Sequence, residues 1–109
     1  ANPTSMKAAL ENFQQLKAHY KIAFLGDMFE LGASAKDEHQ VIVELTKKLN
    51  FDKVIFVGEN FYRTNSASIK LRNFDDLKSF LKENKLPSNS SILIKGSRGM
   101  ALERVLDYL

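Results

Sequence analysis

In the first sixteen residues, Met6, Ala9, Leu10, Phe13 and Leu16 recur at spacings of three and four, the stripe of an amphipathic helix. Thr4 or Ser5 is placed to cap it, and Pro3 suits its entry. The period then changes. Lys21-Ile22-Ala23-Phe24-Leu25 is a short apolar run closed by Gly26, as expected of a strand buried on both faces. A polar loop runs through Gly32. Helical spacing returns from about Ala35 to Asn50, with His39, Ile42, Leu45 or Thr46, and Leu49 along one face. Val54 to Val57 is a second buried strand, closed by Gly58. Glu59 to Ser68 is polar and irregular and reads as loop, and Ile69-Lys70-Leu71 as a short strand. Asn73 offers the next helix cap, with Asp75 and Asp76 in the first turn where the helix dipole favours them. Phe74, Leu77, Phe80 and Leu81 give that helix its buried face, and Pro87 lies beyond its end. Ser91 to Ile94 is a final strand, closed by Lys95-Gly96. Ser97 to Leu109 is predicted to be helical, with Ala101, Val105 and Leu109 in register.

Strands that alternate with helices imply parallel βα units joined by right-handed crossovers. The expected fold class is therefore α/β: a Rossmann-like open, mostly parallel sheet with helices on both faces, forming one domain over residues 1–109. No repeat, linker or biased segment interrupts it.

Composition narrows the function classes. At 109 residues the chain is long enough to close a core without metals or disulfides. It has no cysteine, which removes thiolate metal sites and disulfide scaffolds. His19 and His39 are its only histidines. No apolar run approaches the ~20 residues that span a bilayer, and Lys7, Glu11 and Lys17 break any signal-peptide core. A cytoplasmic protein without membrane insertion is expected. The net charge is +3, but Lys and Arg are scattered among Asp and Glu. With no basic stripe, mild anion affinity is expected and nucleic acid is not an expected partner. The chain opens Ala1-Asn2-Pro3-Thr4-Ser5 without an initiator Met, as an excised domain or a processed chain would.

The three glycines that close the main strands, Gly26, Gly58 and Gly96, fall on one edge of a parallel sheet, where open α/β folds bind ligands. The polar residues delivered there are Asp27 and Glu30, Glu59 and Asn60, then Lys95, Ser97 and Arg98. Two acidic loops facing one cationic loop suit a zwitterion, although the same residue types also serve turn geometry and capping. Lys95-Gly96-Ser97-Arg98-Gly99 is the strongest local signal, because glycine admits close backbone approach beside free N–H groups and two cations. It is not a Walker loop, since Gly-x-x-x-x-Gly-Lys-Ser/Thr occurs nowhere in the chain. Gly96-Ser97-Arg98-Gly99 has the outline of a GxxG RNA loop, without flanking aromatics to stack bases. His39 shares the apolar face of its helix, so a buried residue bonded to backbone is favoured over a catalytic base. Phe61-Tyr62 is more readily an aromatic clip for its loop than a ligand platform. No Ser-His-Asp or paired-carboxylate arrangement follows from spacing.

Three segments together carry a resemblance: Asn2-Pro3-Thr4-Ser5-Met6-Lys7-Ala8-Ala9-Leu10, Leu25-Gly26-Asp27-Met28-Phe29-Glu30-Leu31-Gly32, and Lys95-Gly96-Ser97-Arg98-Gly99-Met100. In that order they resemble the C-terminal domain of the Mur ligase family, specifically its D-Ala-D-Ala-adding members. The diaminopimelate- or lysine-adding members would show Asp-Asn-Pro-Arg and Lys-Gly-His-Glu, where this chain reads Gly58-Glu59-Asn60-Phe61 and Lys95-Gly96-Ser97-Arg98. The resemblance implies a three-domain, ATP- and magnesium-dependent amide ligase of peptidoglycan synthesis. ATP phosphorylates the carboxylate of UDP-N-acetylmuramoyl-tripeptide, and the amine of D-Ala-D-Ala attacks the acyl phosphate. It places Asn2 near the nucleotide, and Asp27, Glu30 and His39 along the interface with the central domain. Lys95, Gly96, Ser97 and Arg98, with Asn60, are implied substrate-binding residues. The chain begins inside the first motif, without the strand expected before it, the P-loop or the magnesium ligands. It is therefore expected to hold no cofactor and to be inactive alone, working with the N-terminal and central domains. The alternative is a stand-alone α/β ligand-binding or interaction module.

Overall fold

A computed structural model describes residues 1–109. Strands β1 (Tyr20–Gly26), β2 (Lys53–Val57), β3 (Ile69–Leu71) and β4 (Ser90–Lys95) form one sheet in the order β3-β2-β1-β4. Every pairing is parallel. Because successive side chains on a strand point to opposite faces, the continuous apolar run of β1 divides between two cores. Ala23 and Leu25 join Met6, Leu10, Ile42, Val43 and Phe56 beneath helices α1 (Pro3–Gln15) and α2 (Ala35–Leu49). On the opposite face, Ile22 and Phe24 join Ile55, Val57, Leu77 and Val105 beneath helix α4 (Phe74–Glu83) and the C-terminal turns.

From β1 the chain steps to β2 and β3, then crosses back to lay β4 on the other side of β1. The strand order thus reverses between β1 and β4, the place where open α/β sheets form a crevice at their C-terminal ends. β4 is the outer strand, hydrogen-bonded to β1 on one side only, and all six of its residues are half-buried.

Several local expectations are corrected. The cap of α1 is Asn2, not Thr4 or Ser5: its Oδ1 accepts from Ser5 N at 2.8 Å, and Ser5 Oγ accepts from Asn2 N at 3.1 Å. Asn2 stands in the extended region and Pro3 fills the first helical position, a reciprocal capping box. Within the segment read as loop, Glu59–Tyr62 forms a one-turn helix, α3. The largest departure is the C-terminus. Residues 97–109 are not an α-helix but two 3₁₀ segments, Arg98–Met100 and Leu102–Tyr108, separated by Ala101 in the left-handed region at φ 47° and ψ 43°. A 3₁₀ segment has three residues per turn, which brings Leu102 and Val105 onto one face, and both are buried against the sheet. The α-helical register of Ala101, Val105 and Leu109 is not used, and Leu109 remains 50% exposed.

Asn2→Ala removes one of the reciprocal bonds that start α1. We expect it to lower stability by about 1 kcal/mol, measured as a lower urea midpoint with unchanged slope.

Candidate functional site

The loops after β1, β2 and β4 meet because those strands are neighbours, and one residue ties them together. Asp27 N donates to Val57 O at 3.1 Å, and Asp27 O accepts from Ser97 N at 2.9 Å. Its carboxylate takes three more donors: Oδ2 accepts from Asn60 N (2.9 Å) and Asn60 Nδ2 (3.1 Å), and Oδ1 from Phe61 N (3.0 Å). The two backbone donors, Asn60 N and Phe61 N, are open N–H groups at the start of α3, so Asp27 caps a helix that lies 33 residues away in sequence at Asn60. Asp27 is 3% exposed. Gly58 lies at φ 126°, and a Cβ there would stand 2.3 Å from Asp27 Cγ, so only glycine passes. At the neighbouring loop a Cβ on Gly96 would stand 2.9 Å from Gly26 Cα, which lets the ends of β1 and β4 close together.

His39 supports the same loops from below. Its Nε2 accepts from Met28 N at 3.0 Å, so Nδ1 carries the proton and donates to Ala35 O at 2.6 Å. The ring meets Phe61 edge-on at 4.6 Å and is fully buried. With both nitrogens engaged, it acts as a structural post. Phe61 is buried, which makes it part of an aromatic clip against Phe56 at 4.7 Å. Ser97 is likewise inward: Oγ accepts from Phe29 N at 2.7 Å and donates to Ala1 O at 3.4 Å.

The structure thus brings Asp27, Asn60, His39, Gly96 and Ser97 together, with their polar atoms turned into the scaffold. Asn2 is occupied as a cap. Glu30 is exposed on a left-handed turn at φ 65°. Lys95 is half-buried and Arg98 exposed, and neither makes an ion pair within 4.0 Å. They are the open cations of their loop. The residues present do not fit a divalent cation: no three His, Asp or Glu side chains group to hold a metal, and the oxygens of Asp27 are taken by amides.

Two clefts open at this edge. One of about 400 Å³ is lined entirely by polar residues: Lys36, Asp37, Gln40, Asn60, Arg63 and Thr64. The other, about 410 Å³, lies between the loop after β2 and the C-terminal turns, where Phe29, Glu59, Arg72, Phe74, Met100 and Arg104 face it. Arg72 packs on the Tyr62 ring at 4.3 Å and reaches Glu59 at 3.4 Å. Tyr62 first, and then the Glu59 carboxylate, hold its guanidinium above its ordinary pKa. Arg104 packs on Phe74 at 4.0 Å, its Nε donating to Ala101 O (2.9 Å) and its Nη2 to Met100 O (3.1 Å). Sequence reading missed this cleft. Arg72 was accessible, since it follows the end of β3 as Gly58 follows β2. Arg104 and Phe29 were not, because a distant packing partner orients each of them.

Comparison with known proteins gives the chain its family and its fold. Residues 1–98 match the domain family described as Mur ligase, glutamate ligase domain. The chain is 33% identical to the UDP-N-acetylmuramoyl-tripeptide–D-alanyl-D-alanine ligase of Rickettsia prowazekii, covering 99% of this chain and 25% of that protein. It is also 33% identical to the Escherichia coli ligase of the same name, over 100% and 25%. Among solved structures it is similar to a MurF from Acinetobacter baumannii, with a TM-score of 0.83 at 29% identity over 98% of this chain. It is similar too to the MurF ligase of Thermotoga maritima in complex with ADP, with a TM-score of 0.77 at 28% identity over 99%. The chain spans about a quarter of the length of these relatives.

Asp27→Ala strands the N–H donors of Asn60 and Phe61 at the start of α3. We expect a loss of roughly 2–4 kcal/mol by denaturant unfolding. Asp27→Asn should recover only part of it, since its amide turns N–H groups toward donors.

Proposed function

The chain belongs to the Mur ligase family, in its glutamate ligase domain, and from that premise we propose that it is the C-terminal, substrate-positioning part of an ATP-dependent ligase that adds D-Ala-D-Ala to UDP-N-acetylmuramoyl-tripeptide in bacterial peptidoglycan synthesis. The observation that carries this reading is end-to-end agreement: relatives of that one name in several bacteria align over nearly all of this chain, and its fold follows theirs. Positioning is a substantial part of such catalysis, because holding the dipeptide amine beside an activated carboxylate turns a bimolecular step into an effectively unimolecular one.

Within the chain, Lys95 and Arg98 are the cations of the loop we propose faces the amino-acid substrate, with Arg98 reaching the dipeptide carboxylate. Gly96 and Ser97 set the loop's path, and Asn60 holds the facing turn through Asp27. ATP would supply the activation of the tripeptide carboxylate. We place its phosphates and magnesium on the remainder of the ligase, since this chain has neither a Walker loop nor a three-ligand metal group. The proposed compartment is the cytoplasm; no helix of the chain is long and apolar enough to cross a membrane.

Sheet handedness sets where a strand preceding α1 would pair. α1 and α2 share one face, and α2 carries the chain from β1 toward β2. A strand leading into α1 by a right-handed crossover would therefore lie on the β4 side of β1. β4 already fills the neighbouring place, so such a strand would pair with its open edge.

Two measurements test the reading. The 109-residue chain alone should make no pentapeptide product from tripeptide, D-Ala-D-Ala and ATP, whereas the longer ligase should. In that ligase, Arg98→Ala should reduce kcat/KM for D-Ala-D-Ala by ~2–4 kcal/mol in transition-state terms, with the KM for ATP unchanged. A lowered melting temperature with unaltered dipeptide kinetics would confine Arg98 to a structural role.

A further inference from the structure

We infer that the cleft between the loop after β2 and the C-terminal turns receives the carboxylate end of the dipeptide, and that Arg104 is its fixed guanidinium; this rests on the ligase reading above. Two arginines line the cleft, and they differ in one decisive respect. Arg72 is already answered by Glu59 at 3.4 Å. Arg104 has no carboxylate within 4.0 Å. Yet Arg104 is held as firmly as a surface arginine can be, by the Phe74 ring at 4.0 Å and by the carbonyls of Ala101 and Met100. Those two carbonyls occupy Nε and Nη2, so the plane is set while other N–H groups stay open. A guanidinium whose orientation is fixed in advance loses less freedom on meeting a planar carboxylate.

The rest of the cleft suits a small zwitterion with short apolar side groups. Phe29 is 43% exposed although it shares the cleft with Glu59, Arg72 and Arg104. Its ring is laid against Gly99, where a Cβ would come within 2.7 Å of it. Together with Met100 it forms an apolar wall. The Glu59–Arg72 pair closes the opposite wall and the Asp27 carboxylate is held by its amides, which leaves Arg104 as the lining guanidinium without a carboxylate partner. The volume of about 410 Å³ lies within the range of small-molecule sites. Arg98 directly precedes Gly99, which lines the cleft, and it is exposed and without an ion pair. One carboxylate then meets the fixed guanidinium of Arg104, with Arg98 the free cation next in the loop, and the amine directed outward toward its reaction partner.

The test uses the longer ligase and two substrates, D-Ala-D-Ala and its C-terminal amide, which keeps the amine and both methyl groups but has no carboxylate. Wild type should prefer the acid. Arg104→Met keeps an unbranched stem on Phe74 and removes the fork. It should reduce kcat/KM for the acid about 10–100-fold, leave the amide nearly unchanged and leave the KM for ATP unchanged. Arg104→Lys should restore only part of the preference. If Arg104→Met keeps the wild-type acid-over-amide ratio while Arg98→Ala loses it, the assignment to Arg104 is overturned and the ligase reading stands. If wild type forms no product with D-Ala-D-Ala, the ligase reading itself fails.

Discussion

One buried carboxylate governs the C-terminal edge of this sheet. Asp27 accepts both N–H groups of Asn60 and the amide of Phe61, and through its own backbone it joins the ends of β2 and β4. A buried acceptor of that charge is tolerated only because donors surround it. The neighbouring residues follow from that requirement. Gly58 must lack a Cβ to let the carboxylate in, α3 exists because its first amides have an acceptor, and His39 fixes the following residue by accepting from Met28.

The motifs that carry the family resemblance are therefore largely scaffold. In Gly26-Asp27-Met28-Phe29, Asp27 and the backbone of Met28 and Phe29 bind other loops. In Lys95-Gly96-Ser97-Arg98-Gly99, Gly96 and Gly99 allow close approach and Ser97 anchors the turn, while Lys95 and Arg98 stay open. What the scaffold leaves unsatisfied is a short set of groups: two cations on one loop, one stacked arginine on the next turn and one exposed phenylalanine. A rigid edge with few free charges suits the substrate-positioning role proposed for this domain.

The α/β class, the parallel sheet and the helices over residues 3–15, 35–49 and 74–83 were legible because each rests on local periodicity. The gathering of the candidate residues at one edge was legible for the same reason, since alternating strands and helices place every strand's C-terminal end on one side. Individual roles at that edge were not. Asp27 and Asn60 both read as ligand-facing polar residues, although each satisfies the other. The C-terminal segment read as α-helix because its apolar residues admit that register, whereas burial of Leu102 and Val105 selects a tighter turn.

The sequence by itself determined where the chain is extended, where it is helical and which residues arrive at the sheet's C-terminal edge, because these depend on spacing and on neighbours a few positions away. Tertiary structure alone decided which of those residues are free. Asp27 finds its donors 33 and 34 positions on, Ser97 finds Phe29 at a separation of 68, and Arg104 has its stacking partner on another helix. Whether a polar group faces solvent or another loop is settled by long-range pairing, and no local pattern encodes it.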